Sequence, residues 1–236
     1  MGYTKDQIIE AISAPGMLYQ NEAINYAGKT NKVYYTEIIA EYILSNLSTK
    51  SIYELLGIGQ MEKRKDFRFL DHIKKEINLK SNRREENLCF TKHRENSPWG
   101  QVINYQINIV PNTKISADLV ARDEKRGTLT IVEVKGYDKG KYPNIKAPSS
   151  TETLLRCILE VQTYYLLLIN NKEVLLKTLT DSEDIVKTEP DDTLKKGIWL
   201  SCDSRAWGEY KELDSGKREN LKKLLQLWDI SVHCYN

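Results

Sequence analysis

The chain has 236 residues, 40 % of them hydrophobic and 29 % charged, with a formal net charge of +2. That is enough chain for one well-buried domain, and so small a net charge excludes binding to a polyanion by bulk charge alone. No apolar run approaches the roughly 20 residues that a membrane helix needs. Met1-Gly2-Tyr3-Thr4-Lys5-Asp6 has no signal-peptide character, and Cys89, Cys157, Cys202 and Cys234 are scattered without a Cys-x-x-Cys pair. A cytoplasmic protein with reduced thiols is expected.

Thr4-Lys5-Asp6-Gln7 is a capping-box pattern opening a short helix through Ile8, Ile9 and Ile12 that stops before Pro15. The segment onward to residue 32 is loop-like, so residues 1 to about 32 read as an N-terminal helical extension. Gly28-Lys29-Thr30 is not a phosphate-binding loop, because the first glycine it requires is Ala23 and no apolar strand leads in. Val33 to Leu47 places Ile38, Ile39, Tyr42 and Ile43 at helical spacing, with Glu37 and Glu41 one turn apart. Residues from about 50 to 84 read as a helical insertion. Across Met61 to Arg84 nine basic residues, among them Lys63, Arg64, Lys65 and Arg68, oppose four acids, with Phe67 and Phe69 interleaved. Such a stretch suits a mixed-charge surface helix or a nucleic-acid backbone contact.

Leu88 to Thr91 reads as a short strand. Gln101 to Val110 alternates Val102, Tyr105, Ile107 and Ile109 among polar residues, predicting a strand before Pro111-Asn112. Ile115 to Lys135 reads as a hairpin whose charged turn closes at Gly127. Its second strand ends in Glu133 and Lys135, which share a face because they lie two residues apart. Folding back about the turn brings Asp118 into the same neighbourhood. Two carboxylates and an ammonium at one sheet end can hold a hard divalent cation and a water. The same local pattern also fits a solvated face with a cross-strand ion pair.

Residues 136 to 148 carry two glycines, two prolines, Lys139, Lys141, Tyr137 and Tyr142. They suit a plain surface loop, or one at the mouth of a site that grips a substrate backbone and stacks tyrosines on bases. Ser149-Ser150-Thr151-Glu152 reads as a capping box for a helix to about Asn170, with Gln162 beside its broad apolar face. Gly197 to Cys202, Gly216 to Trp228 and Ile230 to Cys234 then read as strand, helix and strand, a parallel crossover.

Asp118 followed by Glu133-Val134-Lys135 at a hairpin end resembles the PD-(D/E)xK motif of the restriction-endonuclease-like nuclease superfamily. Ala117 stands where the family's name has proline. The layout over about residues 33 to 236 is similar to that superfamily's α-β-β-β-α-β core. The resemblance implies a single α/β domain, a mixed central sheet flanked by helices, and Mg²⁺-dependent phosphodiester hydrolysis with Mn²⁺ able to substitute. It implies Asp118, Glu133 and the Val134 carbonyl as metal ligands, and Lys135 as the group that orients the attacking water. Many members carry a supporting glutamate on the preceding helix, which points to Glu37. Glu160-Val161-Gln162-Thr163-Tyr164-Tyr165 resembles the Gln-bearing helix of several families, including the RecB-like group, and points to Gln162 as a group positioning water or phosphate. Lys63, Arg64, Lys65, Arg68, Lys139, Lys141 and Tyr142 become the expected nucleic-acid contacts.

A DNA endonuclease of restriction, phage-defence or repair type is the expected activity, compatible with a homodimer and with no membrane partner. The alternatives are an RNA-cleaving or exonuclease member, or a non-catalytic nucleic-acid-binding or assembly module on the same fold. Charge reversal at Lys63, Arg64 and Lys65 is expected to weaken nucleic-acid binding and lower its salt dependence by about one unit of log–log slope per lost phosphate contact. Binding isotherms across a salt series check this, and an unchanged slope makes the stretch a solvated face.

Overall fold

A computed structural model describes residues 2–59, 67–69, 84–110, 113, 115–142, 144–182 and 188–236. Thr4 and Gln7 form the expected reciprocal cap, Gln7 N–H donating to Thr4 Oγ1 at 3.2 Å, and open α1 (Lys5–Ile12). Two short 3-10 turns lead to a small hairpin, β1 (Lys29–Thr30) and β2 (Val33–Tyr34), and then to α2 (Tyr35–Asn46). After α3 (Ile52–Leu55) come β3 (Arg68–Phe69), α4 (Arg84–Lys92), β4 (Asn96–Ser97), β5 (Gly100–Asn108), β6 (Ser116–Asp123) and β7 (Thr128–Lys135). The chain closes with α5 (Leu154–Ile169), α6 (Lys172–Ser182), β8 (Thr193–Ser201), α7 (Arg205–Lys211), α8 (Glu219–Leu227) and β9 (Ile230–Tyr235).

Seven strands make one mixed sheet in the order β3-β5-β6-β7-β8-β9, with β4 also paired to β5. The meander β5-β6-β7 is antiparallel, and β8 and β9 join it in parallel, as the crossover pattern predicts. β7 is therefore a central strand, and seven of its eight residues are buried. Alternation along β7 divides the interior: Leu129 and Ile131 join the core under α5, whereas Val132 and Val134 pack with Leu88, Cys89, Trp99 and Trp199 toward α4. Helices thus cover both faces.

Several expectations change in the structure. Leu88 to Thr91 belongs to α4 rather than to a strand, since a four-residue apolar run has no periodicity that separates the two. Arg68 and Phe69 pair with Asn108 and Ile107 as an edge strand, not as part of an inserted helix. Lys63, Arg64 and Lys65 lie outside the described residues. α5 starts after Thr153, not at the Ser149 box, because tertiary bonds select the cap. Thr153 Oγ1 accepts Arg156 N–H at 3.1 Å and donates to the Ile24 carbonyl at 2.9 Å. α7 was not anticipated, although Ser204 caps it by accepting Trp207 N–H at 3.2 Å.

Glu37 ties α2 to α8. The residue before α8, Arg218, supplies no side-chain cap, and the Glu37 carboxylate fills that role from the neighbouring helix. Its Oε2 accepts Asn220 N–H at 2.8 Å and its Oε1 accepts Leu221 N–H at 3.0 Å. An anion at a helix N-terminus meets both free donors and the positive end of the dipole. Glu37→Ala is therefore expected to cost about 1–3 kcal/mol of stability, the scale of a lost cap with buried donors left unpaired. Mn²⁺ affinity should stay unchanged. Thermal unfolding beside calorimetric titration checks this, and a lost Mn²⁺ site at constant melting temperature would return Glu37 to the metal.

Candidate active site

The pairing of β6 with β7 ends at Leu119–Val132, and the same register sets Asp118 opposite Glu133. Where the ladder stops, the Asp118 side chain takes over: Val134 N–H donates to Asp118 Oδ2 at 2.9 Å. A residue's N–H and C=O leave an antiparallel strand on the same side, so the Val134 carbonyl faces this gap as well. The other oxygen, Asp118 Oδ1, accepts from Gln106 Nε2 at 3.0 Å, and Ser116 Oγ steadies that amide by donating to Gln106 Oε1 at 3.1 Å. Gln106 sits within β5 at φ +52°, a conformation costing a non-glycine residue about 1–3 kcal/mol.

β7 ends at Gly136, whose φ of +115° turns the chain away. A Cβ there would approach Ser201 Cβ to 2.7 Å and Ser149 Oγ to 2.8 Å, so only glycine fits. Gly136 N–H donates to Glu85 Oε1 of α4 at 3.0 Å, and Tyr235 Oη of β9 donates to the Lys135 carbonyl at 3.1 Å. The strand end is thus held by α4 and by β9.

Lys135 is 6 % exposed and Glu133 only 2 %. The ammonium lies 2.6 Å from Glu133 Oε1, 3.0 Å from Glu152 Oε2 and 3.2 Å from Glu160 Oε2. Burial alone would strip its proton, but the charges of Glu133, Glu160, Glu85 and Glu152 outweigh burial and hold Lys135 firmly as a cation. Around it the acids divide. Burial, with Asp118 and Glu160 nearby, pushes the Glu133 carboxyl well above the usual range, and burial raises Glu85 too. Glu160 goes the other way, because Lys135 and Arg156 together overcome its burial. Asp118 is pushed up to about 7, chiefly by burial, with Glu85 and Glu160 adding to it against Lys135 and the Val134 N–H.

The structure brings together Asp118, Glu133, Val134 and Lys135. It does not bring Glu37, which caps α8, or Gln162. Gln162 Oε1 accepts from Lys196 Nζ of β8 at 2.9 Å. Two residues along a helix turn the side chain by about 200°, so Glu160 faces Lys135 and Gln162 cannot. Glu85, Glu152, Glu160 and Tyr164 are at the site and were not singled out from sequence. A signal existed in the i, i+4 spacing of Glu152, Arg156, Glu160 and Tyr164 on one face of the chain entering α5.

The loop after β7 also differs from the base-stacking expectation. Tyr142 is buried against Tyr137 and accepts from Asn87 Nδ2 at 2.8 Å, so its ring is not free for a base. Lys139 pairs with Asp203, and Lys141 Nζ donates to Thr91 Oγ1 at 3.2 Å.

Among the described residues no three His, Cys, Asp or Glu side chains stand as a ready metal centre. Lys135 occupies the point where the carboxylates converge. The donor chemistry nonetheless fits a hard divalent cation. The donor atoms on offer are all oxygens, and five carboxyl groups (Glu85, Asp118, Glu133, Glu152, Glu160) lie around two cations, Lys135 and Arg156. Glu133 Oε2 is buried with no hydrogen-bond partner. Such an oxygen is costly to leave alone and would be satisfied by a cation.

No protein-family model matches the chain, and no curated protein or solved structure matches it significantly. No helix among the described residues is long and apolar enough to cross a membrane.

The raised Asp118 pKa has a signed consequence for metal-free protein. The folded state holds this proton more tightly than the unfolded chain, so its contribution is full below about pH 4 and disappears as pH rises through about 7. Asp118→Asn, which keeps the shape and an acceptor for Val134 N–H, should therefore melt higher than the parent in chelator. The gap should widen from about pH 5 to about pH 8. Calorimetric melting across that range checks this, and a constant gap would mean that Asp118 ionises without strain.

Proposed function

We propose that this chain is a divalent-metal-dependent nuclease with a restriction-endonuclease-like core, cutting DNA internally. One observation carries the reading. At the end of the central strand β7, Asp118 faces Glu133 while a buried Glu133 oxygen has no partner and Lys135 stands beside it. The succession α2, β5-β6-β7, α5, β8 supports the core assignment.

Asp118, Glu133 and the Val134 carbonyl would hold Mg²⁺. When bound, such an ion neutralises charge on a phosphate oxygen and lowers the pKa of water. Lys135 does not accept a proton while its carboxylates hold it as a cation. Its work is electrostatic: an ammonium beside the reacting phosphate stabilises the charge that develops there. Glu133 can serve the metal through its unpartnered Oε2 while its Oε1 remains on Lys135. The excess of carboxylates then favours cation entry and repels a phosphate until the cation is present. An order of metal first and nucleic acid second follows.

The completeness of Lys135 pairing favours one competing reading, a non-catalytic nucleic-acid-binding module on the same fold. Three variants separate the two. Asp118→Ala and Glu133→Ala should each remove Mn²⁺ binding and cleavage. Lys135→Ala should bind Mn²⁺ as well as the parent or better, since a repelling cation is gone, yet cleave about 10²-fold more slowly. Calorimetric Mn²⁺ binding beside single-turnover cleavage of circular and linear DNA and of RNA decides it. Parental cleavage by Lys135→Ala, or normal Mn²⁺ binding by all three, would overturn the proposal. The same substrates report whether DNA or RNA is cut, and whether internally or from an end.

A further inference from the structure

The Lys135 ammonium touches three carboxylates that are not equivalent. Glu133 belongs to the metal-binding pair, and a metal would draw on it. Glu152 is 25 % exposed at its side chain and shares its second oxygen with Arg156 Nε at 3.1 Å. Glu160 is 8 % exposed at its side chain, and its two oxygens have separate tasks. Its Oε1 accepts the Tyr164 hydroxyl at 2.9 Å, one turn further along α5, while its Oε2 faces Lys135 at 3.2 Å. Tyr164 is buried and packs edge-on against Tyr19 with ring centroids 5.8 Å apart. The carboxylate is thus held at its far side by a buried, packed phenol.

We infer that Glu160, anchored by Tyr164, is the positioning residue that keeps the Lys135 ammonium at the sheet end while Glu133 serves the metal. The catalytic consequence rests on the nuclease reading above; the placement of Lys135 does not. A lysine side chain has four rotatable bonds and scatters unless something holds it. Ion pairs from the same strand, from the chain entering α5 and from α5 itself converge here, and only the α5 partner is both outside the proposed metal-binding pair and shielded from water. Displacement by about 1 Å of a group that acts on a phosphate can cost 10²-fold in rate.

Glu160→Gln tests this, because it keeps the size of the side chain and an acceptor for Tyr164 while removing the charge. With Mn²⁺ and supercoiled plasmid DNA, single-turnover cleavage should fall by about 10²-fold. Mn²⁺ should still bind, its affinity lowered only modestly by the lost neighbouring charge. The double variant Glu160→Gln/Lys135→Ala should be no slower than Lys135→Ala, since one residue acts through the other. Losses that multiply, or parental cleavage by Glu160→Gln, would overturn the inference.

A second readout does not require activity. In protein labelled with ¹⁵N-lysine, a buried, clamped ammonium gives a slowly exchanging NMR resonance, assigned by its absence in Lys135→Ala. That resonance should vanish in Glu160→Gln and survive in Glu152→Gln. Its persistence in Glu160→Gln would overturn the inference. Should the parent protein cut neither DNA nor RNA, the nuclease reading fails, and this resonance alone decides the placement of Lys135.

Discussion

A lysine buried at the end of the central strand constrains everything around it. Taking an ammonium out of water costs several kcal/mol even after relaxation, so the charge must be matched on the spot. The fold does so from three directions: Glu133 from the same strand, Glu152 from the chain entering α5, and Glu160 from α5 itself. Those carboxylates exceed what one lysine needs. Burial, with the neighbouring carboxylates adding to it, leaves Glu133 and Asp118 with carboxyl groups that hold their protons tightly. Replacing a buried ionic cluster by packed apolar groups of similar volume is often neutral or stabilising. On the proposed reading, that surplus of buried acid is what a divalent cation would neutralise.

The backbone around the cluster shows the same economy of purpose. β6 gives up its last backbone pair to β7 so that the Asp118 carboxylate can take the Val134 N–H. Gln106 adopts a left-handed conformation inside β5 and reaches Asp118 from there. Gly136 turns at a φ reserved for glycine, and its N–H goes to Glu85. Each is a local departure from regular sheet; the first two serve Asp118 and the third serves Glu85. Strained or irregular backbone concentrates where geometry serves a task other than stability.

Much of this was legible from residues alone, and the limits have physical causes. Val33 to Leu47, Gln101 to Val110 and the hairpin to Lys135 declare themselves because their apolar spacing is long and regular. The pairing of Asp118 with Glu133 followed from the turn at Gly127 and the two-residue period of a strand. What was lost depended on rotation about a helix axis or on distant partners. Gln162 and Glu160 lie two residues apart, and sequence gives no absolute angle for α5 against the sheet; packing puts Glu160 on Lys135 and Gln162 on Lys196. Glu37 lies on the expected helix, but a cap missing at Arg218, nearly two hundred residues away, claims its carboxylate. Thr153 overrode the Ser149 box because Ile24 and Asn25 bind it from the N-terminal segment.

That last displacement matters for the site. Had α5 begun at the Ser149 box, Glu152 would lie in its first turn and serve the helix N-terminus, as acids there usually do. Starting the helix after Thr153 leaves residues 149–152 outside it, and Glu152 reaches Lys135 instead. The angular phase of α5 comes from its apolar face, which packs Leu155, Ile158 and Leu159 into the core. Arg156, Glu160 and Tyr164 follow at four-residue steps and so share one face of the helix. The N-terminal segment thus bears on the cluster only through the cap of α5, where Asn25 and Ile24 hold Thr153 and leave Glu152 outside the helix.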